Sequence, residues 1–335
     1  MTSARVALVV LVAACGGLVH LSADPPREPV GPLPDPGPAE KLPPRPPEAT
    51  AAEFEAVAAA YRAVGGNGNR ETLLRVDGRA WHTFWLTPTA DRCVKLPDPP
   101  FEYLLVLRVQ PDTAPGALAP LARLQNLRRL VLEVPWEPGP DGRVPRVDLA
   151  GPVTELAGVS NLEVLRLSRG TDAAVAALRG LRSLRDLTVD GPFTDAALEG
   201  LARQPSLERV TLSGSPNITD AGLAHLARLP RLRALDVRYC DRITTVGVRP
   251  FATPPRLREL AVGGPGVGAD VLLDIGRIGT LEELNLFSLR GPWEVTGFSP
   301  EQLAALARLP RLRTVGYRTL MTDAGLEALA RAPRL

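Results

Sequence analysis

The chain has little with which to do chemistry. Its 335 residues include three histidines, three cysteines and two methionines, and only 4% are aromatic. Three histidines are too few for most metal sites, which gather His, Cys and carboxylates around one ion. No charge of one sign dominates either: 39 basic residues stand against 37 acidic ones, for a net charge of +2. A nucleic-acid surface needs a run of positive charge, so the balance argues against that partner. Only Lys41 and Lys95 among the basic residues are lysines. The run "GGPGVGAD" from Gly263 to Asp270 is glycine-rich but matches no phosphate-binding pattern, and reads as a loop. These shortages imply neither a metal nor a cofactor. What remains is 45% hydrophobic residues, almost all aliphatic, which is enough for a sizeable core.

The first 23 residues read as an export signal. Arg5 supplies the positive start, and Val6–Leu21 is an apolar run of 16 residues, short for a membrane span. Inside it "VAAC" ends at Cys15 and resembles a bacterial lipobox, in which small residues precede a cysteine that is lipidated and becomes the new N-terminus. Ordinary cleavage after Ala23 and an uncleaved anchor are the alternatives. All three place the protein outside the cytoplasm, as a membrane-anchored lipoprotein or as a periplasmic or cell-surface protein. Membrane contact is expected only through this segment. From residue 24 to 47, eleven of 24 residues are proline, a composition that favours a stiff extended linker.

From Leu104 onward the chain repeats one pattern. A leucine frame recurs at Leu104, Leu127, Leu162, Leu184, Leu207, Leu232, Leu257, Leu281, Leu312 and Leu335, at spacings of 22 to 35 residues. Each anchor but the first and last opens an L-x-x-L-x-L segment such as "LRALDV", whose end alternates like a short strand. Apolar residues three, six and nine positions upstream follow a helical step, as Leu223, Leu226 and Leu229 do before Leu232. Thirteen positions upstream stand Thr171, Thr194, Thr219, Thr244, Ser299 and Thr322, predicted helix N-caps usually followed by Asp. Phe193, Ile218, Ile243, Phe298 and Met321 precede them as hydrophobic staples. Each unit is therefore a capped helix, a tight turn, a strand and a loop. No unit buries its apolar side alone; stacking buries all of them.

This pattern resembles the leucine-rich repeat family over about residues 104–335. "TDAGLAHLARLPRLRALDVRYCDRIT" is especially similar to its cysteine-containing, F-box-associated type. The resemblance implies an α/β solenoid with parallel strands on the concave face and short helices on the convex face. It implies a binding surface rather than an active site, in an architecture that serves many different ligands. Cys240 stands where that type has its cysteine and is expected to be buried. In an exported protein a Cys93–Cys240 disulfide is open to it.

Residues 48–103 have another texture and are expected to form a small α+β cap, with a small recognition module using the exposed face of Trp81 and Trp85 as the alternative. Phe54, Val57, Tyr61 and Val64 mark a helix face ending at Gly65-Gly66. "TLLRV-DG-RAWHTFWL" reads as a hairpin turning on Asp77-Gly78, with Trp81, Thr83 and Trp85 on one face. An enzyme reading would draw on His82, Asp91 and Cys93, although their spacing matches no nucleophile arrangement.

In L-x-x-L-x-L the residues flanking the second leucine and following the third point away from the core. They predict a binding surface of Arg108, Glu133, Arg166, Asp186, Thr188, Asp190, Arg209, Thr211, Asp236, Arg238, Glu259, Glu283, Asn285 and Arg318. It is polar, mixed in sign and poor in aromatics, which suits a protein better than a polyanion. Two longer repeats add rim loops carrying Trp136 and Trp293, either as interface anchors or as seals for their own loops. The last complete strand, around Leu312–Tyr317, is expected to offer an open edge through which copies could associate. The reading is a non-enzymatic binding module, with a structural cell-envelope component as the alternative.

Overall fold

The computed structural model describes residues 19–21, 49–69, 75–76, 79–80, 83–101, 103–134, 147–212, 214–253, 256–287 and 298–317. The signal up to residue 18, the proline-rich stretch and the region after Tyr317 lie outside the described residues. The chain divides into two compact units, Met1–Pro26 with Thr188–Leu335, and Arg27–Leu187. In chain order the strands are β1 (Val19–Leu21), β2 (Asn67–Asn69), β3 (Arg75–Val76), β4 (Arg79–Ala80), β5 (Thr83–Leu86), β6 (Leu104–Arg108), β7 (Arg129–Glu133) and β8 (Val164–Leu167). They continue as β9 (Asp186–Val189), within which the units divide, then β10 (Arg209–Thr211), β11 (Ala234–Arg238), β12 (Glu259–Gly263), β13 (Glu283–Phe287) and β14 (Thr314–Tyr317).

Within the unit of residues 188–335, β10 to β14 run parallel in sequence order. Their register aligns the repeats residue for residue: Thr211, Asp236, Ala261, Asn285 and Gly316 form one column. Leu207, Leu232, Leu257, Leu281 and Leu312 are all buried. Helix and strand share one leucine ladder, because Leu223, Leu226 and Leu229 are buried with Leu235 and Val237. Seven residues after the ladder leucine the backbone turns left-handed, at Gly191, Gly214, Tyr239 and Gly264, and Arg169 holds the same place in the other unit. Glycine takes this conformation without a Cβ penalty, whereas Arg169 and Tyr239, both at φ 60°, bear it.

The helices are short. They are α1 (Ala51–Ala63), α2 (Ala90–Val94), α3 (Ala150–Glu155), α4 (Asp172–Ala177), α5 (Asp195–Leu201), α6 (Asp220–Leu226), α7 (Val271–Ile275) and α8 (Pro300–Ala307). Thr171, Thr194, Thr219 and Ser299 take the N-cap positions, and Thr244 caps a 3-10 helix, Thr245–Phe251. Phe193, Ile218, Ile243 and Phe298 ahead of them are buried. The aspartates that follow do more than favour the helix dipole. Asp195 accepts from the backbone N–H and hydroxyl of Thr219 at 2.9 and 2.6 Å, and Asp220 does the same for Thr244 at 2.8 and 2.6 Å. One repeat's first helical residue thereby fixes the next repeat's cap. Glycine makes the room: a Cβ on Gly222 would stand 2.2 Å from the Asp195 carboxylate, and one on Gly247 2.4 Å from that of Asp220.

In the unit of residues 27–187, β5, β6, β7 and β8 are parallel, and β2 joins the outer edge of β5 antiparallel. The segment read as a hairpin thus splits its duties. β3 and β4 pair around Asp77-Gly78, while β5 leaves to extend the repeat sheet. Thr50 and Glu53 form a capping box for α1, and Gly65 ends it at φ 78°. Phe54, Ala58 and Tyr61 on its inner face are buried, with Tyr61 stacked on Phe84 at a centroid distance of 4.4 Å. "GNGN" contributes β2. A second correction concerns the outer edge of β14. It is not open in this structure, because β1 lies antiparallel along it with Val19 opposite Tyr317. An edge of unpaired N–H and C=O groups is a template for any extended segment. Self-association through this edge would require β1 to be displaced, or removed by cleavage after Ala23.

Candidate binding surface

The residues that alternate away from the leucine ladder come together on the strand face. On β10 to β13, Arg209, Thr211, Asp236, Arg238, Glu259, Glu283, Asn285 and Phe287 line a shallow cleft of about 390 Å³. Four of the five charges on it are locked in pairs. Arg209 Nη1 and Nη2 donate to the two Glu259 carboxylate oxygens at 2.7 and 2.9 Å, a fork-to-fork pairing that fixes geometry as well as charge. Register puts Ala234 between them, so the pair spans a whole strand over a methyl group. Arg238 Nε donates to both Asp236 oxygens at 2.8 and 2.9 Å. That hydrogen bond holds Arg238 still more firmly protonated. Its guanidinium lies 4.5 Å from the centroid of Phe287, and the Tyr239 ring meets Phe287 at 6.4 Å. Glu283 is exposed at the cleft margin, and its carboxylate makes no hydrogen bond or ion pair among the described residues.

In the unit of residues 27–187 the strand face has a different character. Trp85, Val106 and Val131 share one column, and Trp85 packs on Leu104, Val106 and Val131, all buried. Arg108 covers the Trp85 ring at 5.1 Å and pairs with Glu133 at 3.3 Å. The register moves Arg108 out of the column expected for it. Val106, not Arg108, aligns with Val131 and Arg166, and Arg108 stands beside Glu133 in the next column. The first ladder position is therefore two residues earlier than the leucine spacing indicated.

Of the residues picked from the sequence, Arg209, Thr211, Asp236, Arg238, Glu259, Glu283 and Asn285 are brought together in the cleft. Arg108 and Glu133 form their own pair, and Arg166 is exposed on β8. Asp186, Thr188 and Asp190 lie half-buried on and just after β9. Trp136, Trp293, Arg318 and Cys15 lie outside the described residues. Sequence reasoning passed over Phe287 and Tyr239. Phe287 was within reach, six residues after Leu281 in the column that also supplies Arg238. So was Tyr239, standing at a position that is glycine in the neighbouring repeats of its unit.

No family model matches the chain, and no curated protein matches it. Solved structures do. An internalin C2 from Listeria monocytogenes strain 4b F2365 is 23% identical, over 72% of this chain and all of that one, with a TM-score of 0.43. An internalin (inlF) from the same strain is 20% identical over 71% of this chain and 73% of that one, with a TM-score of 0.41. A chain of the yeast Rad7–Elc1 complex is 16% identical, over 72% of this chain and 63% of that one, with a TM-score of 0.48. Stacked strand-and-helix repeats on a shared leucine ladder make this a leucine-rich repeat fold.

Two of the three residues considered for catalysis can be placed. Asp91 is exposed and Cys93 buried, two apart on α2, where side chains do not face each other. His82 lies outside the described residues. Burial pushes the Cys93 thiol up to about 11, so the reactive thiolate is suppressed at neutral pH. Cys240 is buried too, raised to about 11 by desolvation, and its thiol donates to the Leu212 carbonyl at 3.0 Å. Both cysteines are free, so the disulfide considered for them is not formed. Among the described residues no group of His, Cys, Asp and Glu is placed to hold a metal ion, and no helix is long and apolar enough to cross a membrane.

Proposed function

We propose that this chain is a non-enzymatic binding module that captures a protein partner on the strand face of its repeats. The observation that carries the proposal is the paired cleft on β10 to β13. Four of its five charged side chains are fixed by ion pairs before any partner arrives, which lowers the ordering cost of association. Both signs are present side by side, which suits a protein surface better than a polyanion. The signal-like N-terminus and the proline-rich linker support display of the module outside the cytoplasm, tethered through Cys15 or released by cleavage. The cysteine-containing repeat type and a bacterial source belong to the same reading. Residues 48–103 would cover the first repeat of residues 104–335, and loops with Trp136 and Trp293 would border the binding face.

Site-specific photo-crosslinking tests this in the cells that make the protein. A crosslinker at Thr211 or Asn285 should yield a discrete covalent adduct, and one at Glu199 on the helix face should yield none. Adducts from Glu199 alone, or from no position, would reject the strand face as the binding surface. A structural envelope component would give adducts from both faces.

A further inference from the structure

Tyr239 is out of place on energetic grounds. Its backbone is left-handed at φ 60°, where Gly191, Gly214 and Gly264 hold the equivalent position in the neighbouring repeats of the unit. Tyrosine bears strain there that glycine would avoid, and little burial offsets it, since 46% of the residue is exposed. Strain kept at an exposed aromatic points to a use for the ring. The ring stands against Phe287 at 6.4 Å, and the Arg238 guanidinium lies 4.5 Å from the Phe287 centroid. Phe287 lines the cleft, and the Tyr239 ring stands beside it, outside the cleft lining, so that the two make an apolar shelf at its margin.

The charges of the cleft are not balanced. Arg209 is matched by Glu259 and Arg238 by Asp236, which leaves the exposed carboxylate of Glu283 over. The side-chain amide of Asn285, next along β13 on the same face, makes no hydrogen bond among the described residues, and it can both donate to and accept from a peptide group. Resting on the strand-face reading above, we propose that the cleft takes an extended peptide segment of the partner. That segment carries a lysine or arginine onto Glu283 and an apolar side chain onto the Tyr239–Phe287 shelf, with Asn285 bonding its backbone.

The test is selection of a displayed random dodecapeptide library on the immobilised full chain, followed by affinity measurement of recovered peptides by fluorescence anisotropy. Recovered sequences should pair a basic residue with an apolar one at fixed spacing. Glu283→Gln should weaken them about five-fold, with the loss shrinking as salt is raised. Tyr239→Gly should weaken them about ten-fold while the melting temperature holds or rises, because the strain is relieved. Glu283 is exposed, so its substitution leaves the fold intact, and the proposal remains testable whatever Tyr239→Gly does to folding. Asn285→Arg, which fills the cleft, separates the two levels of the argument. Peptides that bind the cleft and are lost with Asn285→Arg, but are acidic or indifferent to Glu283 and Tyr239, would overturn this proposal and leave the strand-face reading standing. Peptides indifferent to Asn285→Arg, or no enrichment over bare support, would overturn both.

Discussion

Arg209 reaches across an entire strand to close on Glu259, with both of its terminal nitrogens on carboxylate oxygens at 2.7 and 2.9 Å. The strand it crosses presents Ala234, the smallest side chain that could stand there without breaking the ladder. Both partners are about 40% exposed, so water and salt screen the pair. A double-mutant cycle of Arg209→Ala and Glu259→Ala, read from urea unfolding, should give a coupling of about 0.5–1 kcal/mol that falls in 1 M salt. In an Ala234→Leu background the same cycle should give a coupling near zero. A coupling unchanged by leucine would mean that the pair does not depend on the gap.

Two glycines on adjacent helices should respond to alanine in opposite directions. A Cβ on Gly200 meets nothing within 4 Å, so Gly200→Ala should stabilise by about 0.5–1 kcal/mol through helix propensity. A Cβ on Gly222 would press on the Asp195 carboxylate and on Leu198, and Asp195 cannot yield without losing Thr219. Gly222→Ala should therefore destabilise by about 1–3 kcal/mol. Urea denaturation midpoints of the two variants check both signs.

The fold should be labile to alkali. Cys93 and Cys240 are held near 11, above their ordinary 9.0, chiefly by burial, and burial also raises Tyr61 and Tyr103. A raised folded value means that the unfolded chain ionises first. The stabilisation is whole below pH 9 and is lost as pH rises toward 11, by about 2–3 kcal/mol for each cysteine. The tyrosines add their share above pH 10. Unfolding midpoints between pH 8 and 11 should fall, and Cys240→Ala should flatten the decline. A midpoint independent of pH across that window would show that these groups are not buried as described.

Export is read from the first 23 residues, and intact mass tests it directly. Protein isolated from its own cells should begin at Cys15 with added lipid mass, or at Asp24, and external protease should cut it. A full-length, protease-protected form would remove the export reading and move the search for a partner inside the cell.

How much was legible in advance differs from element to element. The ladder of Leu207, Leu232, Leu257, Leu281 and Leu312, the caps at Thr171, Thr219 and Thr244, and the column of Thr211, Asp236 and Asn285 all follow from spacing. Each is a local rule repeated many times, so one misread copy is corrected by its neighbours. The first copy had no preceding neighbour, and there the register slipped by two residues between Val106 and Arg108. An even slip keeps the strand's alternation, which is why it left Arg108 exposed on the strand face, whereas Leu104, expected in the ladder, stands on that face with Val106.

The sequence by itself determined the period, the alternation of helix and strand, and which side of each strand faces the core. These depend only on residues within one repeat, and burial of leucine decides them. Tertiary structure alone decided which side chains meet across repeats: Arg209 with Glu259, Arg238 with Phe287, Asp220 with Thr244. Those partners are 24 to 50 residues apart, and register brings them within reach only after the ladder has stacked. It also decided that β5 would run parallel into the repeats and that Tyr239 would take a backbone made for glycine. Neither choice is favoured locally; each is held by the packing of the strands on either side.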